Sequence, residues 1–129
     1  MSSYQIVDGF DHAGTLATFN PQPASPGLLY PRRDIAVNGH EYVNGQPYTF
    51  WEYKGIIPAS QYDALLTLFG LSNTVVSNEV TIKTMTDPDR STWSNYNAII
   101  VLPVNGQDVT YERGFWRDAK FKVKLVEAL

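Results

Sequence analysis

The C-terminal run AKFKVKLVEAL alternates almost without fault, with Ala119, Phe121, Val123 and Leu125 on one face and Lys120, Lys122 and Lys124 on the other. A period of two with one apolar side describes a half-buried antiparallel strand. The lysine row reads as a solvated, edge-protecting face that could also meet an acidic surface. A different period governs IIPASQYDALLTLFGLS, where Tyr62, Leu65, Leu66 and Phe69 recur at i, i+3, i+4 and i+7. That spacing predicts a helix from Ala59 to Phe69, started by Pro58 or Ser60 and ended by Gly70.

Two further strands are apolar on both faces. In YTFWEYKG, Tyr48 and Phe50 point one way and Trp51 and Tyr53 the other. In NYNAIIVLPV the run Ala98–Leu102 is apolar throughout, as in strands covered on both sides. Either the domain is a self-contained sandwich, or the covering layer comes from the chain's own N-terminal part or from a neighbouring chain. The strands expected are Ile35–Val37, Glu41–Val43, Tyr48–Lys54, Glu79–Met85, Tyr96–Val104, Val109–Phe115 and Asp118–Val126. Asn38-Gly39, Asn44-Gly45 and Asn105-Gly106 tolerate the positive φ of tight turns and argue for antiparallel pairing. Strands, one helix, then more strands give an α+β class: an antiparallel β-sandwich or partly open β-barrel with one short helix packed on it.

The N-terminal quarter breaks this pattern. Tyr4–Val7 and Thr15–Phe19 are strand-like pieces interrupted by Gly9 and Gly14. In FNPQPASPGLLYPRRD, residues 19–34, Pro21, Pro23, Pro26, Pro31 and Gly27 bar a helix or a central strand. Phe19, Leu28, Leu29 and Tyr30 nevertheless make it too apolar for a solvated linker. The expectation is an extended arm over residues 1–33 and a single β-rich domain over residues 34–129.

Length and composition narrow the class. A chain of 129 residues with 43% hydrophobic residues suits one domain with a real core. Its net charge of -3 and scattered basic residues disfavour nucleic acid as the main partner. No stretch approaches the roughly 20 apolar residues that span a bilayer, and MSSYQIVDGFDHAG does not read as a signal peptide. With no cysteine, there are no disulfides, thiol nucleophiles or thiolate zinc sites, which fits synthesis in a reducing cytoplasm.

Candidate chemistry is sparse. Asp8, Asp11 and His12 in DGFDHAG could form a weak metal or acid/base site, although Asp and Gly in such density more often mark turns. His40 follows Asn38-Gly39 and reads as a solvated loop residue. Asp87 and Asp89 flank Pro88 in a turn without the spaced ligand series of a calcium loop. Phosphate-loop, nucleophile-elbow and zinc-protease motifs are missing. The expectation is no enzyme and no cofactor. Trp93 in PDRSTWSN and Trp116 in RGFWRD sit beside turn-like sequence, and exposed rings there would stack on sugars. A monomeric β-sandwich glycan-binding module is therefore the alternative reading.

From about Asn44 onward the chain resembles small minor tail proteins of long-tailed bacteriophages, among them lambda-type tail-tip and distal tail proteins. The likeness lies in the order of an aromatic strand (YTFWEYKG), a short helix ending near glycine (PASQYDALLTLFG) and a strand (EVTIKTM). A polar turn then leads to an apolar strand (YNAIIVLP) and an aromatic-led final strand (GFWRDAKFKVKLVEA). The resemblance implies a non-enzymatic virion protein, made in the host cytoplasm, that forms a hexameric or trimeric ring at the tail tip, distal tail or a tail junction and binds adjacent tail proteins. On that reading Phe19, Leu28, Leu29, Tyr30, Trp51, Tyr53, Trp93 and Trp116 are the candidate subunit-interface residues, and residues 1–33 lie across a neighbouring subunit.

Overall fold

The computed structural model describes residues 3–10, 13–87, 89 and 91–129. In chain order it contains β1 (Gln5–Asp8), a 3-10 turn (Ala13–Thr15), β2 (Ala17–Thr18), β3 (Arg32–Ile35), β4 (Glu41–Asn44) and β5 (Tyr48–Pro58). Then follow α1 (Ala59–Phe69), β6 (Ser77–Asp87), β7 (Thr92–Val101), β8 (Thr110–Glu112) and β9 (Phe115–Ala128). All the strand pairs are antiparallel. The large sheet runs β2-β1-β6-β7-β9-β5, β8 adds to β9, and β3 and β4 form a separate two-stranded sheet. The large sheet curls into a half-barrel around the helix, so the expected α+β architecture is what the chain adopts.

Alternation decides which side faces inward. In β9, Ala119, Phe121, Val123 and Leu125 are buried while Lys122 and Lys124 are exposed. The helix contributes Tyr62, Leu65 and Phe69 to the core, and Phe69 packs edge-on against Phe121 at 5.1 Å and Phe19 at 5.4 Å. Its bounds are those the periodicity predicts. Gly70 ends it at φ 74°, with its N–H on the Thr67 carbonyl and the Leu71 N–H on the Leu66 carbonyl, the bond pair of a Schellman cap.

Four features depart from expectation. The strand expected over Ile35–Val37 forms earlier, at Arg32–Ile35, and Val37 lies in the turn that follows. The strand expected over Val109–Phe115 is broken by a tight turn at Arg113-Gly114, both residues at positive φ, so Phe115 opens β9 instead of closing the strand before it. Strand β5 runs on to Pro58 through a bulge between Tyr53 and Ile56. Gly55 takes φ 88° there, and its N–H is held by the Asp118 carboxylate at 2.9 Å. Of the three Asn-Gly pairs, Asn38-Gly39 sits at the tip joining two paired strands, β3 and β4, while Asn44-Gly45 carries the chain from one sheet to the other.

The N-terminal residues join the inner core and leave the outer side of β5 and β7, with Tyr48, Phe50, Ile99 and Val101, only partly covered. Tyr4, Ile6 and Phe19 are buried in the common core, and β1 pairs with β6 along its length. Burying one such side chain contributes about 1.5–3 kcal/mol, more than a typical net hydrogen bond of about 1 kcal/mol. Side chain for bond, packing of Tyr4, Ile6 and Phe19 therefore contributes more than each backbone hydrogen bond of the segment.

Candidate interaction surface

The proline-rich segment closes the sheet's free edge. Ala24 exchanges both backbone hydrogen bonds with Glu52, and Leu29 does the same with Tyr48, at 2.7 to 2.9 Å. Between them the Leu28 N–H reaches the Thr86 carbonyl of β6 at 3.1 Å. Side chains complete the fastening. The Gln22 carboxamide accepts from the Tyr4 N–H at 2.7 Å and donates to the carbonyls of Tyr4 at 3.0 Å and Phe19 at 2.6 Å. The Tyr53 hydroxyl donates to the Pro21 carbonyl at 2.7 Å, and Thr49 donates to the Gly27 carbonyl at 2.7 Å. Proline suits such an edge because it offers no N–H to a further strand.

This packing corrects several expected interface residues. Phe19, Trp51 and Tyr53 are core residues, each at most 6% exposed, because the half-barrel needs large rings to fill its interior. Leu28, Trp93 and Trp116 are half-buried against that core. Leu29 is also half-buried, while Tyr30, 38% exposed, stays at the surface. Residues 19–29 are thus fastened within their own chain, to β5, to β6 and to Tyr4.

Among the exposed surfaces of the described residues, two combine apolar and charged side chains on paired strands. The first is the outer face of β5, β9 and β7. Register places Glu79, Ile99, Lys124 and Tyr48 in one row across the strands, and Ser77, Val101, Lys122 and Phe50 in the next. The lysines lean toward β5, with the Lys120 ammonium 4.1 Å from the centre of the Phe50 ring and that of Lys122 4.8 Å from Tyr48. Such cation–π contacts and the Lys120 pair with Glu52 at 3.7 Å order the side chains while leaving their charge at the surface. Between this row and Pro31 and Pro47 lies a groove of about 250 Å³ with Ile99, Lys122 and Lys124 in its walls.

The second is the β3–β4 hairpin. It leaves the sheet between Leu29 and Tyr48, which are themselves hydrogen-bonded, so its base is pinned. Pro31 sits where any side chain at Gly45 would have to go. Beyond that base the two strands pack chiefly on each other, and Ile35 is 72% and Val37 110% exposed. The alternation of Ile35 and Val37 was visible in the sequence, but nothing in it said that this hairpin stands off the main sheet.

The remaining candidates separate. Asp8 accepts a hydrogen bond from the Asn78 side chain at 2.8 Å, while Asp11 and His12 lie outside the described residues. His40 is exposed, its N–H held by the Asn38 side chain at 3.1 Å. Asp87 accepts from the Asp89 N–H at 3.1 Å as a turn residue, and Pro88 lies outside the described residues. No group of three His, Asp or Glu side chains able to hold a metal occurs among the described residues. Trp116 is stacked on Tyr62 at 4.6 Å and flanked by Tyr111 at 4.8 Å, while Trp93 meets the Tyr4 ring edge at 4.7 Å.

Burial shifts several tyrosines. The Tyr62 hydroxyl is pushed up to about 12, chiefly by burial and further by the neighbouring Asp63 carboxylate. Tyr53 is raised further still by burial. Tyr4 is raised by burial, partly offset by its hydrogen bond with Ser25. These phenols stay neutral and act as packing rings and hydrogen-bond donors.

Comparison with protein-family models, curated proteins and solved structures returns no match.

Proposed function

We propose that this protein is a structural, non-enzymatic component of a phage tail, at the tail tip, distal tail or a tail junction, which assembles with copies of itself into a ring and binds adjacent tail proteins in the virion. The observation that carries the reading is the pinned β3–β4 hairpin with Ile35 and Val37 turned to solvent, on a chain whose pattern of elements resembles small tail proteins. Exposed apolar residues on a projecting element are a feature of protein interaction sites. The lysine and aromatic outer face adds a second surface for subunit contact. Residues 19–29 drop out as the assembly strap because they seal their own sheet edge, and the hairpin takes that place.

The glycan-binding alternative has less support, since one face of Trp116, the ring best placed to stack on a sugar, is taken by Tyr62. Light scattering across a concentration series tests the main reading. The ring predicts a discrete mass, three or six times the 14.5 kDa of one chain. A mass of one chain at all concentrations, together with binding to a glycan array, would overturn it in favour of the alternative.

A further inference from the structure

On the reading that the chain assembles with copies of itself, we propose that the β3–β4 hairpin of one copy packs on the outer face of β7 and β9 of the next, beside the groove, with Ile35 and Val37 against Ile99 and Val101 and Glu41 against Lys124.

A two-stranded hairpin is marginally stable alone in water, and among the described residues no second layer covers Ile35 and Val37. The pairing of rows selects the partner surface. Ile35 faces Glu41 across the hairpin, so an aliphatic side chain and a carboxylate lie side by side on one face. Across β7 and β9, Ile99 faces Lys124 in the same way. Laying the first pair on the second joins apolar to apolar and acid to base at once. Arg33, two residues before Ile35 and so on the same hairpin face, finds an opposite charge in Glu79, which faces Ile99 from β6.

Geometry excludes the chain's own hairpin as the occupant. Pro31 lines the groove, yet Ile35 lies four residues further along an extended strand, on the order of 13 Å away, and its high exposure shows that it has not folded back. Donor and acceptor surfaces are therefore different patches of one molecule. Such a heterologous contact propagates head to tail and closes into a ring when the rotation permits.

The chain contains no cysteine, so a cross-link can be read without background. Val37→Cys and Val101→Cys are made as separate full-length variants and mixed under oxidising conditions. A disulfide-linked dimer is expected from the mixture in clear excess over either variant alone. Glu41→Lys and Lys124→Glu should each weaken association about tenfold, and the double exchange should restore most of it. Circular dichroism checks that each variant keeps its sheet.

The outcomes separate the two proposals. A wild-type multimer whose mass survives both charge reversals, with no mixed cross-link, overturns the hairpin contact and leaves self-assembly standing. Cross-linking of Val37→Cys with itself at least as readily as with Val101→Cys assigns the hairpin to a twofold contact, and also overturns the proposal. A wild-type chain that stays single at every concentration overturns both.

Discussion

The indole N–H of Trp51 donates to the Thr84 hydroxyl at 3.0 Å, joining β5 to β6 across the inside of the half-barrel. Those two strands are separated in the sheet by β7 and β9, so the bond spans the curl and does not follow a ladder. Both residues are fully buried, and Phe19 and Tyr4 pack on the indole at 5.4 and 5.7 Å.

Trp51→Phe should destabilise the fold by about 2–4 kcal/mol, because it leaves the Thr84 hydroxyl without its donor and opens a cavity beside Phe19. Thr84→Val in the same background should cost less than it does alone, since the unpaired hydroxyl is then removed. Urea unfolding of the four proteins in a double-mutant cycle checks this, and strict additivity would show that the bond carries no coupling.

Gln22 is the fastening between the edge-sealing segment and β1, making one bond as acceptor and two as donor to main-chain groups. Gln22→Glu should be worse than Gln22→Ala, because a carboxylate keeps the acceptor but turns a negative oxygen toward the carbonyls of Tyr4 and Phe19. Losses of about 1–2 kcal/mol are expected. Hydrogen exchange at the Ala24, Leu29, Tyr48 and Glu52 amides should accelerate first, since these close the edge.

Stability should fall in alkaline solution above pH 10.0, where the buried tyrosines begin to favour the unfolded chain. A phenol whose folded value lies above its unfolded value of 10.0 contributes all its stabilisation below pH 10, where both states are protonated. Above that the unfolded chain loses its proton first, and stability declines until the folded value is passed. For Tyr62 the window runs from 10.0 to about 12, a loss on the order of 2–3 kcal/mol, and Tyr53 extends it upward. Urea midpoints measured from pH 8 to 11.5 test this. A flat profile above pH 10 would contradict it, and Tyr62→Phe should flatten part of the slope.

Local chemistry was readable wherever a side chain's own neighbours decide its fate. The 3.6-residue spacing of Tyr62, Leu65 and Phe69 and the glycine at position 70 define α1 to the residue, because helix bonds and caps are made within one turn. The alternation in β9 likewise names its buried face, since strand geometry turns every second side chain inward wherever the strand lies. What these patterns leave undetermined is which distant surface meets each face. Phe19 and Trp51 read equally well as core rings or as interface rings, and only the curl of the sheet, which brings Phe19 onto both Trp51 and Phe69, makes them core. The proline-rich segment was legible as extended and apolar, but its role in sealing β5 depends on hydrogen bonds between residues more than ten positions apart. Ile35 and Val37 look in sequence like any short strand. Their exposure is decided by the pinned base at Leu29 and Tyr48, which carries the hairpin away from the sheet and leaves both side chains in solvent.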